Sequence, residues 1–171
     1  MNAILRPYNI SASLGREGSP TRRHGGLVYI TQDEENRNGA YIKASYLKNK
    51  PTLKNLEKRF FQNQALREPH RQRMTTAIDW AFYKKELSLE ALGHALEKEN
   101  IGLVIQNDTK GKLQNIWYVD HKRQTVFDGK VLGDGYNAGD IRRRVIPEKV
   151  YQQRQKLEQK QILNHRKRLH Q

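Results

Sequence analysis

Between Ser88 and Val145 the spacing of apolar residues changes from helical to alternating and back to helical. In SLEALGHALEKEN, Leu89, Leu92, Ala95 and Leu96 share one face of a 3.6-residue helix. Ser88 is placed to cap it, Glu90 suits its first turn, and Asn100 tolerates the left-handed conformation that ends a helix. Leu103-Val104-Ile105 then reads as a short strand closed by the turn NDTKG. A second strand runs from Leu113 to Asp120, the turn HKRQ follows, Thr125-Val126-Phe127 forms a third strand, and Asp128-Gly129 closes it. Asn137 caps a short helix carrying Ile141 and Val145, with Asp140 as its capping-box partner. The unit reads helix, three antiparallel strands, helix.

The first half repeats this pattern in degenerate form. Asn9-Ile10 resembles Asn100-Ile101, and GLVYIT from Gly26 resembles NIWYVD from Asn115. Leu47, Leu56 and Phe60 keep the mutual spacing of Leu132, Ile141 and Val145, while the longer turn DEENRNG replaces HKRQT. These pairs predict two copies of one unit, each built on its own sheet. Pro7 stops helix propagation ahead of the first copy, so Met1 falls where a leading helix would lie. On that reading the chain is the rear part of a larger protein. Between the copies, Leu53, Leu56 and Phe60, then Met74, Ala77, Ile78 and Ala81, predict two helices bent at Pro69. The expected fold is α+β: two small antiparallel three-stranded β units with flanking helices. Its predicted parts are a first β unit plus helix over 1–66, a helical linker over 67–86, a second αβββα unit over 87–146, and a tail over 147–171. The tail is Gln/Lys/Arg-rich with sparse apolar positions, which predicts a frayed helix or a disordered basic segment.

Composition narrows the partners. The 171 residues are 36% hydrophobic and 29% charged, with a mean hydropathy of −0.94, so the core is thin. Lys and Arg outnumber Asp and Glu 32 to 18, leaving +14, and the isoelectric point is about 10.1. A chain so charged repels itself unless a polyanion neutralises it, which makes nucleic acid the first expected partner. There is no cysteine, so disulfides, thiolate zinc sites and iron–sulfur clusters are excluded. The N-terminus MNAILRPYNI lacks the apolar run of a signal peptide and no stretch has the length of a membrane span; the expectation is a cytoplasmic protein with no membrane contact.

Four basic clusters are candidate contacts. Arg22, Arg23 and His24 in TRRHGG precede a strand, where glycines let backbone amides approach phosphate; a flexible charged loop explains them equally well. His121, Lys122 and Arg123 lie on a turn beside Trp117 and Tyr118, combining charge with a stacking surface. Adjacent strand residues point to opposite faces, so one of the two aromatics belongs to the core. Arg142, Arg143 and Arg144 occupy a short helix between Ile141 and Val145, and its solvent side suits phosphate contacts. HRKRLH near the C-terminus offers non-specific affinity only. The carboxylate-bearing turns NDTKG and DEENRNG lack the alternating ligands and distal Glu of a calcium loop and read as hairpin turns.

WYVDHKRQTVFDGKVLG followed by YNAGDIRRRV resembles the C-terminal region of a relaxase family, the mobilization proteins of conjugative plasmids and transposons. The likeness rests on Asp120-His121 at a strand end, Asp128-Gly129, Leu132-Gly133 and the short helix after Tyr136. YNISASLGREG with GGLVYIT resembles the part that follows the nuclease domain in such proteins, so the likeness covers most of residues 3–145. In that family the nuclease lies upstream, with a His-hydrophobic-His metal motif, a further His and an N-terminal tyrosine nucleophile. His24, His70, His94, His121, His165 and His170 include no H-x-H pair, and Tyr8 reads as a packed residue before a strand. The resemblance implies a non-catalytic DNA-binding segment with no cofactor, no metal site and no catalytic residue. Its expected partners are single- or double-stranded DNA, the relaxase nuclease domain and other transfer-complex proteins. A protein-interaction module and an independent RNA-binding protein remain alternatives.

Overall fold

A computed structural model describes residues 1–33, 38–83 and 85–169, with side chains through residue 163 save that of Asn38. Most of the turn expected around 34–37, and the side chains of HRKRLH, lie outside the described residues. The chain divides into two compact units, Met1–Pro69 and His70–Gln171. Each holds one antiparallel three-stranded sheet with its strands in chain order, so the architecture is α+β.

In the first unit a short helix α1 (Asn2–Leu5) and a 3-10 turn (Arg6–Tyr8) lead into β1 (Ile10–Ser13). Then come α2 (Pro20–Arg23), β2 (Val28–Gln32), β3 (Asn38–Lys43), a 3-10 turn (Ala44–Tyr46) and α3 (Leu53–Arg67). The Asn2 amide pairs with both backbone groups of Ala12, at 3.1 and 2.8 Å, acting as a strand partner for the edge of β1. Ala3, Leu27, Val28 and Ala44 are the buried apolar residues of this unit, a small core for its length. Tyr8 departs from expectation: it sits in the 3-10 turn with 71% of its surface exposed rather than packed.

In the second unit α4 (Arg71–Phe82) and α5 (Leu89–Glu97) precede β4 (Ile101–Asn107), β5 (Leu113–Asp120) and β6 (Thr125–Asp128). α6 (Gly129–Leu132), α7 (Ala138–Arg144) and α8 (Glu148–Leu169) follow. Met74, Ile78, Leu92 and Leu96 from the helices meet Ile101, Ile116, Tyr118 and Phe127 from one sheet face, and Ile141 closes the cluster. Alternation along β5 puts Ile116, Tyr118 and Asp120 on this face and Trp117 on the other. Ser88 caps α5 through Ala91 N at 3.1 Å, and Asn137 caps α7 through Asp140 N at 3.1 Å, both as the sequence predicts.

Two local expectations are corrected. Asp128-Gly129 starts a helix instead of merely ending a strand, because the Asp128 carboxylate caps Lys130 N at 2.9 Å. Asp140 does not complete a reciprocal capping box; its Oδ2 accepts from Gly135 N at 2.7 Å, two residues ahead of the cap, and from the Asn137 side-chain amide. Of the two readings of the tail the helical one holds: α8 is a 22-residue helix, about 33 Å long at 1.5 Å per residue. Its start is pinned by Ile146 N donating to Leu87 O at 2.9 Å and by an Arg154–Glu86 ion pair.

The degenerate repeat has a structural signature in backbone and side chain alike. Asn9 (φ 55°) and Asn100 (φ 58°) both turn left-handed immediately before the first strand of their unit. Their carbonyls accept from Gln32 N, the last residue of β2, and from His121 N, just past β5, at 2.8 and 3.0 Å. The next residues pair in register, Ile10 with Thr31 and Ile101 with Asp120. Tyr29 Oη donates to Pro51 O at 3.0 Å, and Tyr118 Oη donates to Tyr136 O at 2.9 Å. Each acceptor immediately precedes the N-cap of the helix after the sheet, Thr52 for α3 and Asn137 for α7. Thus the same tyrosine of the middle strand ties the same turn down in both copies. The copies differ in covering: Leu132 and Ile141 are buried, whereas Phe60 is 51% exposed and α3 has no buried residue.

Candidate nucleic-acid interface

The sheet of the second unit offers a face that the helical core does not use. It carries Gly102, Val104, Trp117, Val119 and Val126, with Val104 opposite Trp117 and Val119 between Gly102 and Val126. Trp117 is half-buried, and Tyr118 is the aromatic claimed by the core, fully inaccessible. His121 has the same parity as Trp117 and its ring lies across Gly102: a Cβ at that glycine would come within 2.8 Å of His121 Nε2. Trp117 and His121 therefore share one side of the sheet, and Lys122 and Arg123 stand exposed on the turn at its end.

That turn is held rigid from below. Asp120 is 1% exposed; its Oδ1 accepts from Arg123 N at 3.0 Å, and its Oδ2 meets Arg73 Nη1 from α4. Arg73 Nη2 also donates to Glu99 O at 2.9 Å, so one guanidinium joins the end of β5 to the segment after α5. Asp120 thus anchors a turn, and its side chain faces the core while that of His121 faces the other way. Burial also raises the Tyr118 phenol well above its ordinary value, which keeps it a neutral donor to Tyr136 O.

The three arginines of α7 have separate roles. Arg144 is committed internally: it donates to Gly135 O at 3.1 Å and to Asp79 Oδ1 at 3.2 Å, and its guanidinium lies 4.1 Å from the centre of the Phe82 ring. Tyr136 Oη donates to the other Asp79 oxygen at 2.8 Å; burial and this bond together raise the Tyr136 phenol. Arg142 reaches back to Leu113 O at 3.3 Å. Arg143 is paired with Asp140, yet its side chain is 75% exposed and points to solvent. The expected solvent-facing triplet is accordingly one projecting arginine, one leaning on the sheet and one acting as a clamp.

Arg22, Arg23 and His24 lie in the first unit and are all exposed. The segment is the one-turn helix α2 rather than a loop, capped by Ser19 through Arg22 N at 3.3 Å, with His24 as its C-cap. The residues that carry the resemblance also have mechanical tasks. Asp120 holds a turn, Asp128 caps α6, Gly129 packs where a Cβ would strike Tyr136 O and lie 2.7 Å from Ile116 Cγ2, and Gly133 adopts φ 107°. Among the described residues no three His, Asp or Glu side chains gather as a metal site would require, and no helix is long and apolar enough to cross a membrane.

Sequence reasoning missed Trp80. It stands on α4 with 67% of its surface exposed, against the usual tendency of tryptophan to be largely covered. The signal was present, since Trp80 falls off the Met74, Ala77, Ile78 and Ala81 stripe. No protein-family model, curated protein or solved structure matches the chain.

Proposed function

We propose that this chain is a DNA-holding segment of the relaxase type, which grips a strand in conjugative transfer while bond-breaking is done elsewhere. The observation that carries the reading is the second sheet's outer face. Trp117 and His121 share it, exposed Lys122 and Arg123 stand at its end, and the chain around them has a net charge of +14. An aromatic surface edged by cations suits single-stranded nucleic acid, because bases stack without sequence preference while phosphates are neutralised. The relaxase context rests on the sequence resemblance; of its motif residues, Asp120 holds the turn that carries Lys122 and Arg123.

Fluorescence anisotropy with labelled single- and double-stranded DNA across a salt series tests the reading. Affinity should fall steeply with salt, and a Lys122→Gln/Arg123→Gln double variant should weaken binding and flatten the slope by about two phosphate contacts. Absence of salt-sensitive binding at low ionic strength refutes it, and tighter binding to structured RNA would replace DNA with RNA. A second reading, a protein-interaction module, is favoured by α3, which exposes Phe60, Phe61 (80%) and Leu66 (69%). Pull-down of a relaxase nuclease domain that is lost on Phe61→Ser, with DNA affinity unchanged, would establish it.

A further inference from the structure

We infer that a groove between α4 and the C-terminal end of α5 is a second contact for single-stranded nucleic acid, in which an unpaired base stacks on Trp80 and its phosphates meet Lys85 and Lys98. This rests on the nucleic-acid reading above but concerns a different part of the second unit. The groove has a volume of about 470 Å³, within the range of small-ligand sites. Its lining follows from helical spacing: Arg73, Ala77, Trp80 and Ala81 recur on one side of α4, and Ala95, Lys98 and Glu99 face them.

Three features select a base over other occupants. First, the floor is made of alanines, Ala77, Ala81 and Ala95, all half-buried, so a flat ring can lie close to both helices. Second, Trp80 is 67% exposed while Tyr83, 55% exposed, stands edge-on to it with ring centroids 5.2 Å apart and planes at 61°. This leaves a broad indole face available and braced by its neighbour. A solvent-exposed tryptophan contributes little to the core, and base–aromatic stacking is the use such a surface fits best beside cations. Third, the charges are divided. The Arg73 guanidinium is spent on Asp120 and Glu99 O, so it shapes the end of the groove, while Lys85 and Lys98 remain exposed on the rim. Glu99 is the carboxylate among the described lining residues; it repels phosphate, so the backbone contacts fall to Lys85 and Lys98 on the rim.

Photo-crosslinking of the full chain to an oligothymidylate carrying 5-iodouracil, followed by peptide mapping, tests the placement without a variant. Crosslinks to the peptide containing Trp80 and Tyr83 are expected. In parallel, Trp80→Ala should weaken binding of the same oligonucleotide about 5- to 150-fold, the range measured for loss of one stacked base. Trp80→Phe should recover part of that loss, and the same-length duplex should be affected little. Because Trp80 lies outside the core, an unchanged thermal midpoint separates lost stacking from unfolding. If the oligonucleotide binds but crosslinks only elsewhere, and Trp80→Ala binds as tightly as the parent, the groove assignment falls while the sheet-face reading stands. If the parent does not bind at all, both fall together.

Discussion

Replacing Arg73 by alanine removes the cation that balances a carboxylate buried at the end of β5. Asp120 is 1% exposed, and the Arg73 guanidinium lies 2.5 Å from its Oδ2 while donating to Glu99 O at 2.9 Å. After the change, the described donor left to Asp120 is the amide of Arg123, at 3.0 Å. Removing one partner of a fully buried ion pair costs about 3–5 kcal/mol. Arg73 itself is 29% exposed, so water can follow the lost side chain and the expected cost is about 2–3 kcal/mol. Trp80 and Trp117 are the two tryptophans of the chain and both lie in His70–Gln171, so their emission during urea unfolding reports this unit alone. With a urea dependence of about 1.5 kcal/mol per molar, the midpoint should fall by about 1–2 M. Asp120→Asn keeps an oxygen for the Arg123 amide and removes the charge. In the Arg73→Ala background it should therefore restore part of the loss, a coupling that a double-mutant cycle reads directly. A midpoint for Arg73→Ala within about 0.2 M of the parent would refute the anchoring role of this pair.

Tyr118→Phe should cost about 1 kcal/mol by leaving Tyr136 O without its donor, and Tyr29→Phe should weaken the first unit through the equivalent bond to Pro51 O. Burial holds the folded Tyr118 phenol above its unfolded value of about 10, so its contribution is complete below that pH and lost as the pH rises beyond it. Urea midpoints of the second unit should accordingly be level up to about pH 9.5 and fall toward pH 11, less steeply in Tyr118→Phe. Gly129→Ala should lower the urea midpoint by an amount equivalent to about 1–3 kcal/mol, because its Cβ would strike backbone rather than a movable side-chain end. Two neighbours on α7 should separate stability from binding. Arg144→Ala loses its bonds to Gly135 O and Asp79 and its cover over Phe82, so it should reduce thermal stability; Arg143→Ala should leave the midpoint within about 0.5 kcal/mol and weaken DNA binding in the anisotropy assay.

The alternation of β5, the caps at Ser88 and Asn137 and the paired Asn-Ile starts were readable along the chain because each depends on neighbours within a few residues. Their repetition specified two antiparallel three-stranded sheets. Local spacing was silent where a side chain is spent on a distant partner. Arg142, Arg143 and Arg144 are equivalent as letters, yet only tertiary packing makes one a clamp on Asp79 and Phe82 and leaves another projecting. That Asp120 and His121 point to opposite faces follows from β pleating; that one meets Arg73 in the core and the other lies across Gly102 was decided by packing. The equivalence of Tyr29 and Tyr118 was visible as a matched position; that both donate to the carbonyl just ahead of a helix cap was not. Trp80 was legible as a residue off the Met74, Ala77, Ile78 and Ala81 stripe of α4; how much of its ring stays exposed was decided by what lies opposite it in space. Sequence alone fixes which short segments form and how charged they are, through local hydrogen bonding and periodicity; long-range packing decides which of those charges and rings remain free to meet a ligand.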